Sequence, residues 1–188
     1  MPLAPIASVD RAALRWLKGD GTPTHYTLSA GETPVAELRW ERPGGSRASV
    51  ETAEGAWVLE RVGHLFPHLT VRTRPGTPPV ARLSLRFGHH EIEIGGGGVY
   101  RLSRAGALVP AWRLLDAADR EVAHIEPVPD GRRLAGGAVL TSGSTPAREL
   151  LLLVVLSWYL IALDWFEDEV METLAPFEGP DAPMRSGA

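Results

Sequence analysis

The chain has 188 residues, of which 44% are hydrophobic and 22% charged, enough for one domain with a substantial core. It contains no cysteine, which excludes disulfides, thiolate metal sites and thiol nucleophiles. Nineteen basic against twenty-three acidic residues give a net charge of −4, so no nucleic-acid partner is expected.

The segment Met1 to Val9 has neither a basic stretch nor a long apolar run, and no secretory signal is expected from it. Residues 8–18 read as a short helix, with Ala12, Ala13, Leu14 and Leu17 on one face and Gly19 as its stop. Residues 1–20 are thus expected to form a helical lead-in to a single domain over 21–173. Lys18 is the only lysine; the other eighteen bases are arginine.

From about 24 to 141 the apolar pattern shifts to period two, interrupted at short intervals by Gly or Pro. Eleven strand candidates follow: 24–30, 34–41, 47–53, 56–62, 68–74, 79–87, 90–94, 98–104, 110–116, 120–127 and 134–141. The cleanest sets Leu83, Leu85 and Phe87 against Arg82, Ser84 and Arg86. The stretch 56–62 is less regular, because neither of its faces is purely apolar. Glu54-Gly55 reads as a tight hairpin turn. Gly95 to Gly98 reads as a turn, because a strand follows it and not the helix that a phosphate-cradling loop needs.

A hairpin pattern recurs three times. Tyr26, Val71 and Arg113 are the first positions of the three copies; in each a strand meets a polar turn, and nine residues later come Val35-Ala36-Glu37-Leu38, Val80-Ala81-Arg82-Leu83 and Val122-Ala123-His124-Ile125. Simple alternation puts Val and the third residue on one face, Ala and the aliphatic residue on the other.

A helix is expected over about 146–172, with Thr145 as N-cap and Pro146 at its first position. From Leu150 to Leu163 it is apolar on every side, which demands a complete surround. Fourteen residues rise roughly 21 Å, short of a hydrocarbon core of about 30 Å. The segment is therefore read as a core helix, not a membrane span. A barrel of eleven or twelve strands is wide enough to take it. Residues 164–188 then hold seven acids and one base, and 174–188 is expected to be a flexible acidic tail.

The third hairpin, Trp112 to Ile125, and the run Leu150 to Trp165, set within this order of elements, resemble the tubby C-terminal-like superfamily. That group includes tubby domains, phospholipid scramblases and LURP-one-related proteins. The resemblance spans about residues 20–172 and implies a mainly β fold: a twelve-stranded closed antiparallel barrel around a hydrophobic C-terminal helix. It implies recognition of anionic lipid headgroups or of a protein partner. In scramblases an acidic calcium-binding segment precedes the C-terminal helix, whereas Ala138 to Ala147 contains no acid here.

From the residues themselves, Arg72, Arg74, Arg82 and Arg86 are expected to point outward together from one hairpin, and guanidinium groups suit anionic ligands. His64, His68, His89, His90 and Glu91 do not have the geometry of a metal site. Adjacent strand residues face opposite sides, and Pro67 interrupts the His64–His68 spacing. Thr141 to Thr145 is rich in hydroxyls but lacks a nucleophile elbow. No catalytic residue and no cofactor is expected. The leading reading is a non-enzymatic binding or scaffold protein, cytoplasmic and peripheral at the membrane. A scramblase-like membrane protein and an enzyme with an unrecognised site are the alternatives.

Overall fold

A computed structural model describes residues 2–19, 24–42, 45–63, 68–86, 89–106, 111–130, 133–141 and 145–174. Twelve strands run β1 Leu14–Lys18, β2 His25–Ala30, β3 Thr33–Trp40, β4 Arg47–Thr52, β5 Gly55–Val62, β6 His68–Arg72, β7 Ala81–Arg86, β8 His89–Ile94, β9 Val99–Ala105, β10 Ala111–Asp116, β11 Glu121–Asp130 and β12 Arg133–Thr141. Each pairs antiparallel with its neighbours in sequence, and β1 closes on β12. The helix α1, Ala147–Leu174, runs through the interior between Leu150 and Leu163. Every residue from Leu150 to Leu163 is buried, Ser157 included. This is the barrel-with-helix architecture expected from the sequence.

The N-terminus differs from expectation. Residues 8–18 are not a helix. Two 3-10 turns, Ile6–Ser8 and Arg11–Ala13, lead into β1, where Leu14 and Trp16 are buried and Arg15 and Leu17 are exposed. Five residues with period-two burial satisfy a strand as well as a helix face, and the open seam between β2 and β12 decides for the strand. The barrel therefore starts at Leu14, inside the expected lead-in.

The three repeated hairpins are β2–β3, β6–β7 and β10–β11. In the first and third the register slips at Leu28/Ser29 and Leu114/Leu115, so that Val35 and Val122 are the extra residues of β-bulges. In the second, Val80 and Ala81 both bond opposite Val71. A bulge turns two successive side chains toward one face. Val35 and Ala36 are accordingly both buried, as are Val122 and Ala123. This corrects the simple alternation, in which Val would have pointed outward. The repeated Val-Ala pair is a bulge signature, placed three times around the barrel at every fourth strand.

Turns follow local chemistry. The β4–β5 loop is Ala53-Glu54, one residue earlier than read, because Thr52 pairs with Gly55, whose φ is 135°. The glycine run is the β8–β9 turn, with Gly96 and Gly97 at φ of 120° and 109°. The carbonyl of Pro146 accepts from the Leu150 N–H, so Pro146 is the cap residue and Ala147 the first helical residue. The tail region 175–188 lies outside the described residues.

An aromatic cluster joins β1, β2 and β3 to the helix. Trp158 of α1 stacks on Trp16 at 5.6 Å, with Tyr26 edge-on at 5.6 Å. Tyr159 stacks on Trp40 at 5.3 Å, and Phe166 meets Trp40 edge-on. Ser157 Oγ donates to the Leu153 carbonyl within the helix, and the Tyr26 hydroxyl donates to Leu134 O. The indole N–H of Trp158 has no acceptor among the described residues. Trp158 fits only because β12 is bare beneath it, since a Cβ on Gly137 would overlap its ring. Gly137→Ala should lower stability by about 1–3 kcal/mol through overpacking. Urea unfolding would show this as a lower midpoint with an unchanged m-value.

Candidate functional site

The antiparallel order sends the β2–β3, β4–β5, β6–β7, β8–β9 and β10–β11 turns to one end of the barrel, with the N-terminus of α1. The helix leaves at the other end, where Asp164 is exposed and Trp165 and Phe166 are half-buried.

The four arginines do not share one spot. β6 ends at Arg72, two residues short of the expected strand, so Arg74 lies in the hairpin loop. There Thr77 Oγ1 donates to the Arg74 carbonyl at 2.7 Å. The Arg72 guanidinium is engaged by the Thr77 carbonyl across the same loop. Arg82 is exposed on β7, with Thr70 on one side in register and Glu93 on the other. Arg86 is at the far end of β7, on the order of 13 Å along the strand from Arg82, opposite His89; its side chain lies outside the described residues. Three arginines therefore gather at the loop end of the hairpin, and the fourth is separated from them. No ion pair engages Arg74 or Arg82 among the described residues.

Elsewhere the outer face mixes signs. Arg113 meets Glu121 at 2.6 Å, Arg120 meets Asp116 at 2.7 Å, and Arg39 and His25 both approach Glu37. Exposed pairs of this kind contribute little stability, each about 0–1 kcal/mol. Asp116 also accepts from the backbone N–H groups of Ala118 and Arg120, and the bond from Arg120 leads the causes that hold its carboxyl below the usual range. These contacts assign Asp116 to the turn, and they let Asp119 take a φ of 60°.

At the helix N-terminus the Tyr100 hydroxyl donates to Glu149 Oε1 at 2.7 Å. Burial first, then this bond and the charges of Glu149 and Asp116, push the phenol up to about 12. It stays protonated and donating across the neutral range. A Cβ on Gly98 would overlap the Glu149 carboxylate as it is seated, so the bare last residue of the glycine turn leaves room for the pair. Glu149 also complements the positive end of the helix dipole.

Among the histidines, His64 falls outside the described residues. His90 packs flat against Trp112, with ring centroids 6.0 Å apart. Burial, and secondarily the neighbouring His89, hold its pKa below the ordinary 6.5. No cluster of three or more His, Asp or Glu suited to a metal ion occurs among the described residues. Comparison with protein-family models, with curated proteins and with solved structures finds no significant match.

His90 makes stability depend on pH. Below about 6.5 the unfolded imidazole takes up a proton that the folded side chain resists, so the unfolded state binds more protons and stability falls with falling pH. His90→Phe keeps the ring contact and removes the titration. Unfolding midpoints measured between about pH 7 and pH 5 should therefore fall less steeply for the variant than for the parent.

Proposed function

We propose that this protein is a non-enzymatic binding or scaffold protein of tubby-like architecture, cytoplasmic and peripheral at the membrane. Its outer surface meets anionic lipid headgroups or a protein partner. One observation carries the reading: the helix from Leu150 to Leu163 fills the lumen, so the barrel is not a container and recognition falls to its exterior and its ends. The loop end of the β6–β7 hairpin supplies the chemistry for an anionic surface. Arg74 and Arg82 are exposed there, and Arg72 braces the loop. Clusters of basic side chains gain about 1 kcal/mol each near an anionic leaflet.

The membrane-embedded, scramblase-like alternative draws on one feature of α1. Its stretch Ala147–Phe166 is long and apolar enough to cross a bilayer. That stretch is mostly buried inside the barrel, so crossing a membrane would require the helix to leave its seat against Trp16 and Tyr26. The exterior-binding reading needs no such rearrangement.

Co-sedimentation with neutral and with anionic liposomes, at low and at raised salt, tests the proposal. Binding to anionic vesicles alone, weakened by salt, is the expected result. Arg74→Glu with Arg82→Glu should weaken it about tenfold or more, and this pair leaves the Arg72–Thr77 brace in place. Equal binding of the double variant would remove the hairpin from the proposal.

A further inference from the structure

Of the three bulged hairpins, the first is overlaid by the N-terminal segment. The Ala4 N–H bonds the Pro34 carbonyl at 2.8 Å, and Ile6 is completely buried in the core that contains α1. The Arg11 side chain reaches the Thr145 carbonyl, and the Thr141 hydroxyl donates to the Arg11 carbonyl. The segment is thereby fixed to β3, to the core and to the connection into the helix.

Between this segment and the β2–β3 turn lies an open cleft of about 420 Å³. That volume is within the range of small-molecule sites, about 300–1,000 Å³. Val9 and Ala30 supply apolar walls, while Ser8, Asp10 and Thr33 supply polar atoms. Gly31, at φ 60°, turns the chain without placing a side chain in the opening. Among the described residues of the lining, Asp10 is the ionisable group. Its Oδ1 accepts from the Ala12 N–H at 3.0 Å and caps the second 3-10 turn. Its other oxygen makes no hydrogen bond, and no cation pairs with it, among the described residues.

We propose that this cleft binds a small organic cation, a primary ammonium or guanidinium on a short apolar body. The cationic head meets the open carboxylate oxygen of Asp10, with the hydroxyl oxygens of Ser8 and Thr33 as further acceptors. The apolar body lies against Val9 and Ala30. Anionic ligands are disfavoured by the same carboxylate. The site is already formed in the free protein because its walls are tied down, so binding carries little ordering cost. The exposure of Asp10 keeps affinity low, in the millimolar range.

The test is NMR titration of the full chain with n-butylamine and with agmatine, and with n-butanol as the neutral comparator. Saturable shifts confined to Ser8–Asp10 and Ala30–Thr33, produced by the amines and not by the alcohol, are expected. Asp10→Asn keeps a capping side chain while removing the charge, so it should preserve the unfolding midpoint and weaken amine binding about tenfold. No saturable response, equal binding by Asp10→Asn, or shifts scattered over the surface acids would each overturn the proposal. The Arg74→Glu/Arg82→Glu variant should bind amines unchanged, so this site and the vesicle-binding hairpin stand or fall separately.

Discussion

A helix that is apolar on all sides tolerates no opening in whatever encloses it, and the rest of the molecule answers to that condition. The helix is about 10–12 Å across with its side chains, which sets how many strands are needed to go around it. Closure sets the next requirement, met when β1 fills the seam between β12 and β2. The fit is then local. Where the helix presents Trp158, the wall thins to Gly137 and adds Trp16 as a stacking face. Where it presents Tyr159, the wall supplies Trp40. At the mouth, Glu149 is seated by Tyr100 over the bare Gly98.

Most of this architecture was legible in the residues, because burial on one face of a strand forces period two and burial on all faces of a helix erases periodicity. Eleven of the strands lie where alternation and turn residues place them. The twelfth was hidden because Leu14 to Lys18 is too short to separate a strand from a helix face, and only the unpaired edges of β2 and β12 decide it. The Val-Ala pairs were visible as a repeat, but their bulges were not. A bulge is a property of two paired strands, and the sequence shows one strand at a time. The same limit applies to the arginine hairpin. Spacing puts Arg72 and Arg74 on one face of a strand, whereas the loop that Thr77 folds back onto Arg72 and Arg74 ends β6 between them.

A filled lumen divides the molecule by role. The interior is committed to holding the helix, and chemistry is left to the ends and the outer belt. That belt is largely self-neutralising, with Arg113 beside Glu121 and Arg120 beside Asp116. Against that background two places at the loop end stand out for opposite reasons. The β6–β7 hairpin carries Arg74 and Arg82, which no carboxylate engages among the described residues. The N-terminal segment over the β2–β3 hairpin carries a carboxylate that no cation meets among the described residues. The two sites, of opposite charge, belong to two hairpins of one repeated design, distinguished by what each loop adds to the shared bulge.

Closure of the sheet also decides how any partner must be recognised. Every strand has a neighbour on both sides, so the ladder offers no row of free backbone N–H and C=O groups to an incoming peptide. Recognition by strand addition, which takes its affinity from main-chain bonds, is closed to this fold. A partner must read side chains and loop geometry instead. Specificity can then diverge through changes at a few exposed positions in the turns while the barrel beneath stays the same.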